Sequence, residues 1–462
     1  MNARTVELRL PARLQGRRPL VVIVLLGALL RLSWSLYQGD TVQALPGVHD
    51  QITYHTLALR ILHGQGFSFD TGWWPATQAG APTAHWSFLY TLYLAAVYLV
   101  FGVHPAAARL IQSLAVAVLH PWLSWRIGRR LFGEQAGLAA ALFASAYGYF
   151  IYYAGCLMTE SFFVVAILWS LDIATAMAFP GPARGAPPRR SWTCLGVAAG
   201  AAVLLRQVFL LFVPFLLGWL VRELRRSDRG EGRARVFRGV ATAGVVMLAM
   251  ILPWTARNYL AFKRFVLLNT NAGFAFFWAN HPIHGSRFIP VLNDDDRSYG
   301  RLIPEDLRNQ DEATMDRELL GRGLRFAIED PKRYLMLSLS RAKEYFRFWP
   351  SGGSGTAGNL ARALSFGLFL PFMVIGVLSV LGHCFRARTA ASSEAMQSRC
   401  SGHFLLLLFV AVFTLIHLLS WALIRYRLPV DGVLLLYAGA GVLWLARRSA
   451  AVRPLFCKGP VV

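Results

Sequence analysis

The sequence predicts an all-α polytopic membrane protein, a bundle of about ten transmembrane helices with shorter helices at the membrane interface. Three observations carry that prediction. The chain of 462 residues is 55% hydrophobic. Its apolar runs are continuous rather than alternating, which suits helices and not a barrel. The net charge of +23 is gathered in short clusters between those runs. That placement argues against nucleic-acid binding and for cytoplasmic loops under the positive-inside rule.

Taken in order, the candidate spans are 18–38, 106–127, 135–154, 160–178, 192–205, 207–222, 238–254, 359–382, 403–422 and 430–447. Arg206-Gln207 forms a tight hairpin between two short spans. Basic clusters at 1–18, 126–130, 184–190, 222–238, 386–399 and 447–458 all fall on one face if the N-terminus lies inside. That parity requires residues 86–102 to be interfacial or re-entrant rather than spanning. Arg17-Arg18 before the first run resembles a signal peptide, and Val42-Gln43-Ala44 weakly resembles a cleavage site. The length of the run and Arg31 within it favour a retained anchor. No internal repeat suggests alternating access.

Three parts follow: an N-terminal transmembrane module at 1–254 with a first outer loop at 39–105, an outer segment at 255–358, and C-terminal transmembrane helices at 359–462. The segment 255–358 holds half of the acidic residues. It ends in helices at 311–328 and from Pro331 to about Phe348, with Asp330 as N-cap and Ser351-Gly-Gly-Ser-Gly as a closing loop. Its last helix, alternating basic and apolar, suits the membrane surface. Of five cysteines only Cys156 faces outward, so no structural disulfide is expected.

Acids are scarce near the membrane, which singles out Asp50 in "GVHDQITYHTLALRILHGQGFSF". One reading is an N-cap for a helix over 51–63 that Gly64 terminates. Tyr54, Leu57, Ala58, Ile61 and Leu62 then form a stripe for the membrane surface. The other reading is a general base at a low-dielectric boundary. Glu160 opens an apolar span, either as a first-turn acid favoured by the helix dipole or as a second functional acid. Asp172, deeper in that span, suits a packing or polar contact between helices.

Arg109, Arg206, Arg257 beside Asn258, and Arg425 and Arg427 all face outward, against the positive-inside bias. They read either as lipid anchors or as an anion site for a phosphate, which His85 could join. Asp294-Asp295-Asp296 reads as a solvated loop. His281 and His284 have loose metal spacing but no further ligand set, so no metal site is assigned and a divalent metal stays open.

These stretches resemble the GT-C superfamily of polyisoprenyl-phosphate-sugar-dependent glycosyltransferases. The similar branch is the bacterial one related to protein O-mannosyltransferases and the lipid A aminoarabinose transferase. Asp50 with Tyr54, Ala58 and the Gly64–Gly66 pair resembles the first-loop acidic motif. "PTAHWSFLYTLYLAAVYLVFG" resembles a juxtamembrane segment, "ARLIQS" with "GRRLFG" a span, and "MTESFF" the second acidic position. "PWTARNYLAFKRFVLLNTNAGFAFFWANHP" and "RYRLPV" resemble later motifs. Gln51 departs from the family, which often has an acid or other polar group there, and Trp86-Ser87 stands where Pro-Pro is common.

The resemblance implies a GT-C-like bundle and catalytic roles for Asp50 and Glu160. It implies substrate-binding roles for Tyr54, His85, Arg109, Arg206, Arg257, Asn258, Arg425 and Arg427. The expected reaction is inverting transfer of a sugar from a polyprenyl-phosphate donor to a glycan, lipid or protein acceptor. It would take place on the periplasmic face of a bacterial inner membrane. A transporter or flippase of lipid-linked sugars, and a non-catalytic membrane assembly partner, are the competing readings.

Overall fold

The computed structural model describes residues 18–179, 187–226, 232–292, 299–350, 355–389 and 394–449. Among them the architecture is helical, in seventeen α-helices joined by short 3₁₀ turns and irregular loops. In chain order α1 is Arg18–Gln38, α2 Asp50–Leu62, α3 Phe88–Phe101, α4 Pro105–Phe132, α5 Glu134–Ala146 and α6 Gly148–Ala154. Then come α7 Glu160–Ala178, α8 Arg189–Leu205, α9 Val213–Arg226, α10 Arg233–Phe262 and α11 Ala272–Asn280. The rest are α12 Glu312–Glu329, α13 Pro331–Tyr345, α14 Thr356–Arg362, α15 Leu368–Thr389, α16 Glu394–Leu419 and α17 Leu428–Arg448.

Eight helical stretches among the described residues are long and apolar enough to cross a membrane. The pair α5 and α6, bent by 54° at Tyr147, makes a ninth if read as one broken span. All ten expected runs fall on helices, but the one at 192–205 lies in α8, which at 17 residues is shorter than those eight. Helix α3 has 14 residues, about 21 Å at 1.5 Å per residue, against a hydrocarbon core of about 30 Å. It is too short to span upright. The chain is thus an all-α, multi-pass membrane protein.

Close backbone contact builds the bundle. A Cβ at Gly128 of α4 would lie 2.7 Å from the Gly137 Cα of α5, so only glycine permits this approach. Helix α7 sits deepest, with 72% of its apolar window buried against neighbouring helices. At α2, Gly64 (φ +72°) ends the helix as expected. The stripe of Tyr54, Leu57 and Ala58 does not face lipid, because it is buried in the protein core. Tyr54 packs edge-on against Tyr90 of α3 and against Trp86.

Outside the bundle, α11 packs on α12 through Phe274, Phe277, Trp278, Met315 and Leu319. The expected boundary at Asp330-Pro331 is present, with the Asp330 carboxylate accepting from the Arg333 N–H at 2.9 Å. Helix α13 buries Leu337 and Tyr345 against the protein and leaves Leu335 and Leu339 exposed. Glu312 pins the first loop to this layer: Thr77 and Thr83 hydroxyls donate to Oε2 at 2.7 and 2.8 Å, and the Ala84 N–H donates to Oε1 at 2.8 Å.

The expectation of no disulfide is corrected. Cys384 and Cys400 are bonded, because α15 and α16 form a hairpin that sets their Cα atoms 5.5 Å apart. Residues 1–17, Asp294-Asp295-Asp296, Ser351–Ser354 and parts of the basic clusters lie outside the described residues.

Candidate active site

Asp50 is the first residue of α2, yet its carboxylate does not cap that helix. His49 occupies the cap position without a side-chain bond. The Asp50 Oδ2 instead meets Arg425 Nη1 at 2.8 Å. Arg425 sits in the 3₁₀ turn Ile424–Arg427 that leads into α17. Its Nε lies 3.9 Å from Oε1 of Glu160, the first residue of α7. Glu160 is 3% exposed and pairs directly with Arg206 Nη2. Arg206, in the extended break after α8, also donates from Nε to Thr159 Oγ1 at 2.9 Å. Each of the four side chains thus enters from a place where a helix starts or breaks. Two acids and two guanidiniums form a formally neutral cluster.

Tyr426, which sequence reasoning passed over, packs against both arginines. The guanidinium carbons of Arg206 and Arg425 lie 5.2 and 5.3 Å from its ring centroid. Behind it His417 stacks at 5.0 Å, and Tyr345 follows His417 at 6.0 Å. The only signal for this in the sequence was the Arg-Tyr-Arg triplet itself.

Tyr54 borders the cluster. Burial, and then the negative charge of Asp50, push its phenol up, so the O–H stays protonated. Its oxygen accepts from the Ser87 N–H at 3.4 Å. His85 bonds the Thr270 carbonyl through Nδ1 at 2.8 Å, and burial pushes its pKa down, so the ring is neutral. Trp74, which is 44% exposed, packs on His85 and Trp86. Gln207 bonds Asn271 and receives the Asn269 N–H at 3.1 Å.

The other sequence candidates are held elsewhere, Arg109, Arg257 and Asn258 by backbone carbonyls and Arg427 by a carboxylate as well. Arg109 is buried and donates to the carbonyls of Gly155, Gly39 and Thr41 at 2.9, 2.6 and 2.8 Å. Arg257 donates to Thr83 O at 2.8 Å and Phe67 O at 3.0 Å. Asn258 donates to Leu268 O at 2.7 Å. Arg427 is fully buried, pairs with Asp431 at 2.9 Å and lies over Phe366. Chain breaks leave carbonyls without helical partners, and these side chains satisfy them.

His284 bonds the Trp278 carbonyl at 2.7 Å, and burial pushes its pKa down to about 4. Among the described residues no group of three or more His, Cys, Asp and Glu could hold a metal ion.

Residues 85–256 match the family model of the dolichyl-phosphate-mannose-protein mannosyltransferases. No curated protein matches the sequence. The structure resembles the oligosaccharyltransferase AglB of Archaeoglobus fulgidus in complex with an inhibitory peptide and a dolichol-phosphate. The TM-score is 0.58 at 16% identity, with 96% of this chain and 52% of that chain covered. The apo form of the A. fulgidus oligosaccharyltransferase gives a TM-score of 0.59 at 14% identity, with 96% and 52% covered.

The chain shares the fold of these oligosaccharyltransferase structures.

It spans about half the length of those oligosaccharyltransferase structures. ArnT from Cupriavidus metallidurans bound to undecaprenyl phosphate gives a TM-score of 0.42 at 15% identity, with 95% of this chain and 80% of that chain covered. Within this fold Asp50 and Glu160 both lie in the neutral cluster, each against an arginine.

Proposed function

We propose that this chain is a membrane glycosyltransferase that moves a sugar from a polyprenyl-phosphate donor to an acceptor hydroxyl by a single inverting displacement. The observation that carries this reading is the convergence of Asp50 and Glu160 on the guanidiniums of Arg206 and Arg425. A carboxylate beside paired guanidiniums is what a phosphate-leaving displacement needs. Asp50 accepts the proton of the acceptor hydroxyl while that oxygen attacks the anomeric carbon. The bond from that carbon to the phosphate oxygen breaks, and the electron pair leaves with the lipid phosphate. Arg206 and Arg425 stabilise the growing charge there. Glu160 orients Arg206, and the exposed face of Trp74 offers an apolar surface for a sugar ring.

The dolichol-phosphate held by the structurally similar AglB supports a lipid-phosphate donor. The match of residues 85–256 to a mannosyltransferase family supports sugar transfer. In this reading residues 1–254 form the catalytic module, 255–358 an outer segment beside it, and 359–462 a closing set of helices that supplies Arg425. The site faces the periplasm of a bacterial inner membrane, because the basic clusters then lie inside. Comparing surface glycans, lipids and proteins by mass spectrometry with and without the gene tests the reading. One glycoform should be lost from the surface. An unchanged surface with intact lipid-linked sugar pools would count against it.

A further inference from the structure

The cluster poses a problem for its own chemistry. A carboxylate paired with a guanidinium is a weaker base, and Arg425 Nη1 sits 2.8 Å from Asp50 Oδ2. A phosphate site needs free guanidinium donors, and Arg206 is turned onto Glu160 and Thr159. Each acid of the cluster is thus paired with a guanidinium that a phosphate would use.

The occupation is of a replaceable kind. Arg109 and Arg257 bond backbone carbonyls, which cannot move without unfolding a loop. The shortest contacts of Arg206 and Arg425 are to carboxylates, which swing away by side-chain rotation, with Thr159 Oγ1 at 2.9 Å from Arg206 and the Gly47 carbonyl at 3.4 Å from Arg425 as further acceptors. Their pairing is also incomplete. Arg425 Nε is buried and has no hydrogen-bond partner, with the Glu160 oxygen still 3.9 Å away. A phosphate, with more oxygens than a carboxylate, can engage both forks at once.

We infer that Arg206 and Arg425 form a phosphate subsite that the chain's own Asp50 and Glu160 occupy until a phosphate displaces them, with Tyr426 as the positioning residue for both guanidiniums. The inference rests on the transferase reading and adds its regulation. Donor phosphate takes the arginines, and that exchange releases Asp50 beside the arriving acceptor. Base and donor are thereby coupled. As the sugar leaves, the phosphate gains negative charge, so the same forks hold it more strongly in the transition state than in the donor. Tyr426 keeps both forks in place throughout, because its ring, backed by His417, does not exchange.

The test is direct binding to the full chain in detergent, with no sugar and no acceptor present. The probes are inorganic phosphate in one arm and a sugar-free polyprenyl phosphate in the other. Removing a competing carboxylate should tighten binding, so Asp50→Asn and Glu160→Gln should each bind about three- to tenfold more tightly than wild type. Asp306→Asn removes one charge from an exposed pair with Arg322 and controls for the overall field, so it should bind like wild type. Tyr426→Ala should bind more weakly and Tyr426→Phe should recover wild-type affinity. Tightening in either arm supports the exchange, and the arm tells whether the phosphate must carry a lipid. If neither Asp50→Asn nor Glu160→Gln tightens beyond Asp306→Asn, the exchange is wrong, while the transferase reading stands. If they tighten but Asp50→Asn still transfers sugar, the subsite stands and the base does not.

Discussion

Helix α7 carries a paired acid at two levels, and the two pairs are built differently. Glu160 opens the helix, and Asp172 follows twelve residues later, about 18 Å along the axis. Asp172 is met by Arg126 at 3.0 Å and Arg130 at 3.1 Å, one helical turn apart on α4. Arg130 also donates to Thr175 at 2.7 Å. Two packed helices fix that geometry, and a polar contact between helices is what the sequence led us to expect. Glu160 takes its arginines from two chain breaks, and the second arginine also holds another acid. Equal pairing chemistry thus yields a clamp where helical period supplies the partners. Where chain breaks supply them, it yields a cluster in which one arginine lies against two acids.

Four outcomes would sharpen or break this contrast. Asp50→Asn should lower transfer by about 10²–10⁴-fold, the usual worth of a general base. Its unfolding midpoint in detergent should fall less than that of Asp172→Asn, because Arg425 keeps the Glu160 carboxylate 3.9 Å away. Asp172→Asn should chiefly cost stability, about 3–5 kcal/mol, because Arg126 and Arg130 both lose the buried carboxylate they share. Transfer per folded molecule, measured after size exclusion, should persist. If both variants lost activity and stability together, the two ends of α7 would be equivalent and the contrast would fail.

A third acid has no arginine in its bonding. Asp316 of α12 accepts the N–H groups of Gly273 and Phe274 at 2.8 and 3.3 Å, and burial raises its pKa to about 7. An unfolded Asp titrates near about 3.9. The folded carboxyl therefore keeps a proton that the unfolded one releases. Its contribution to stability is full below about pH 4 and is lost as pH rises towards about 7. Denaturant titrations across that window should show the decline, and Asp316→Asn should flatten it. The smallest effect is expected for Arg206→Lys, which keeps the charge and loses the planar fork. Transfer should fall by roughly tenfold, about the worth of one charge-assisted hydrogen bond. A variant with wild-type turnover would show that the fork is dispensable.

The helices were legible because apolar runs of sufficient length have one stable form in lipid. The α12–α13 boundary was legible because Asp330-Pro331 is a strong start signal. Asp50 and Glu160 stood out because acids next to apolar runs are costly. The partners were not legible. Which carbonyls a chain break strands depends on how the breaks pack, so Arg109 and Arg257 looked no different from Arg206 and Arg425. Tyr426 was hidden for the same reason, since its role lies in faces that meet only in three dimensions. Gln51, next to Asp50, stood out only as a departure from the resembled motif. It is fully buried and bonds the Gln43 carbonyl.

The most direct measurement uses purified protein in vesicles loaded with a polyprenyl-phosphate sugar, followed by mass spectrometry of the lipid. Wild type should release sugar-free polyprenyl phosphate only when acceptor is present, with the anomeric configuration inverted in the product, and Asp50→Asn should release none. Release by Asp50→Asn at the wild-type rate would contradict the role of the outer cluster. So would lipid-linked sugar that crosses the membrane uncleaved.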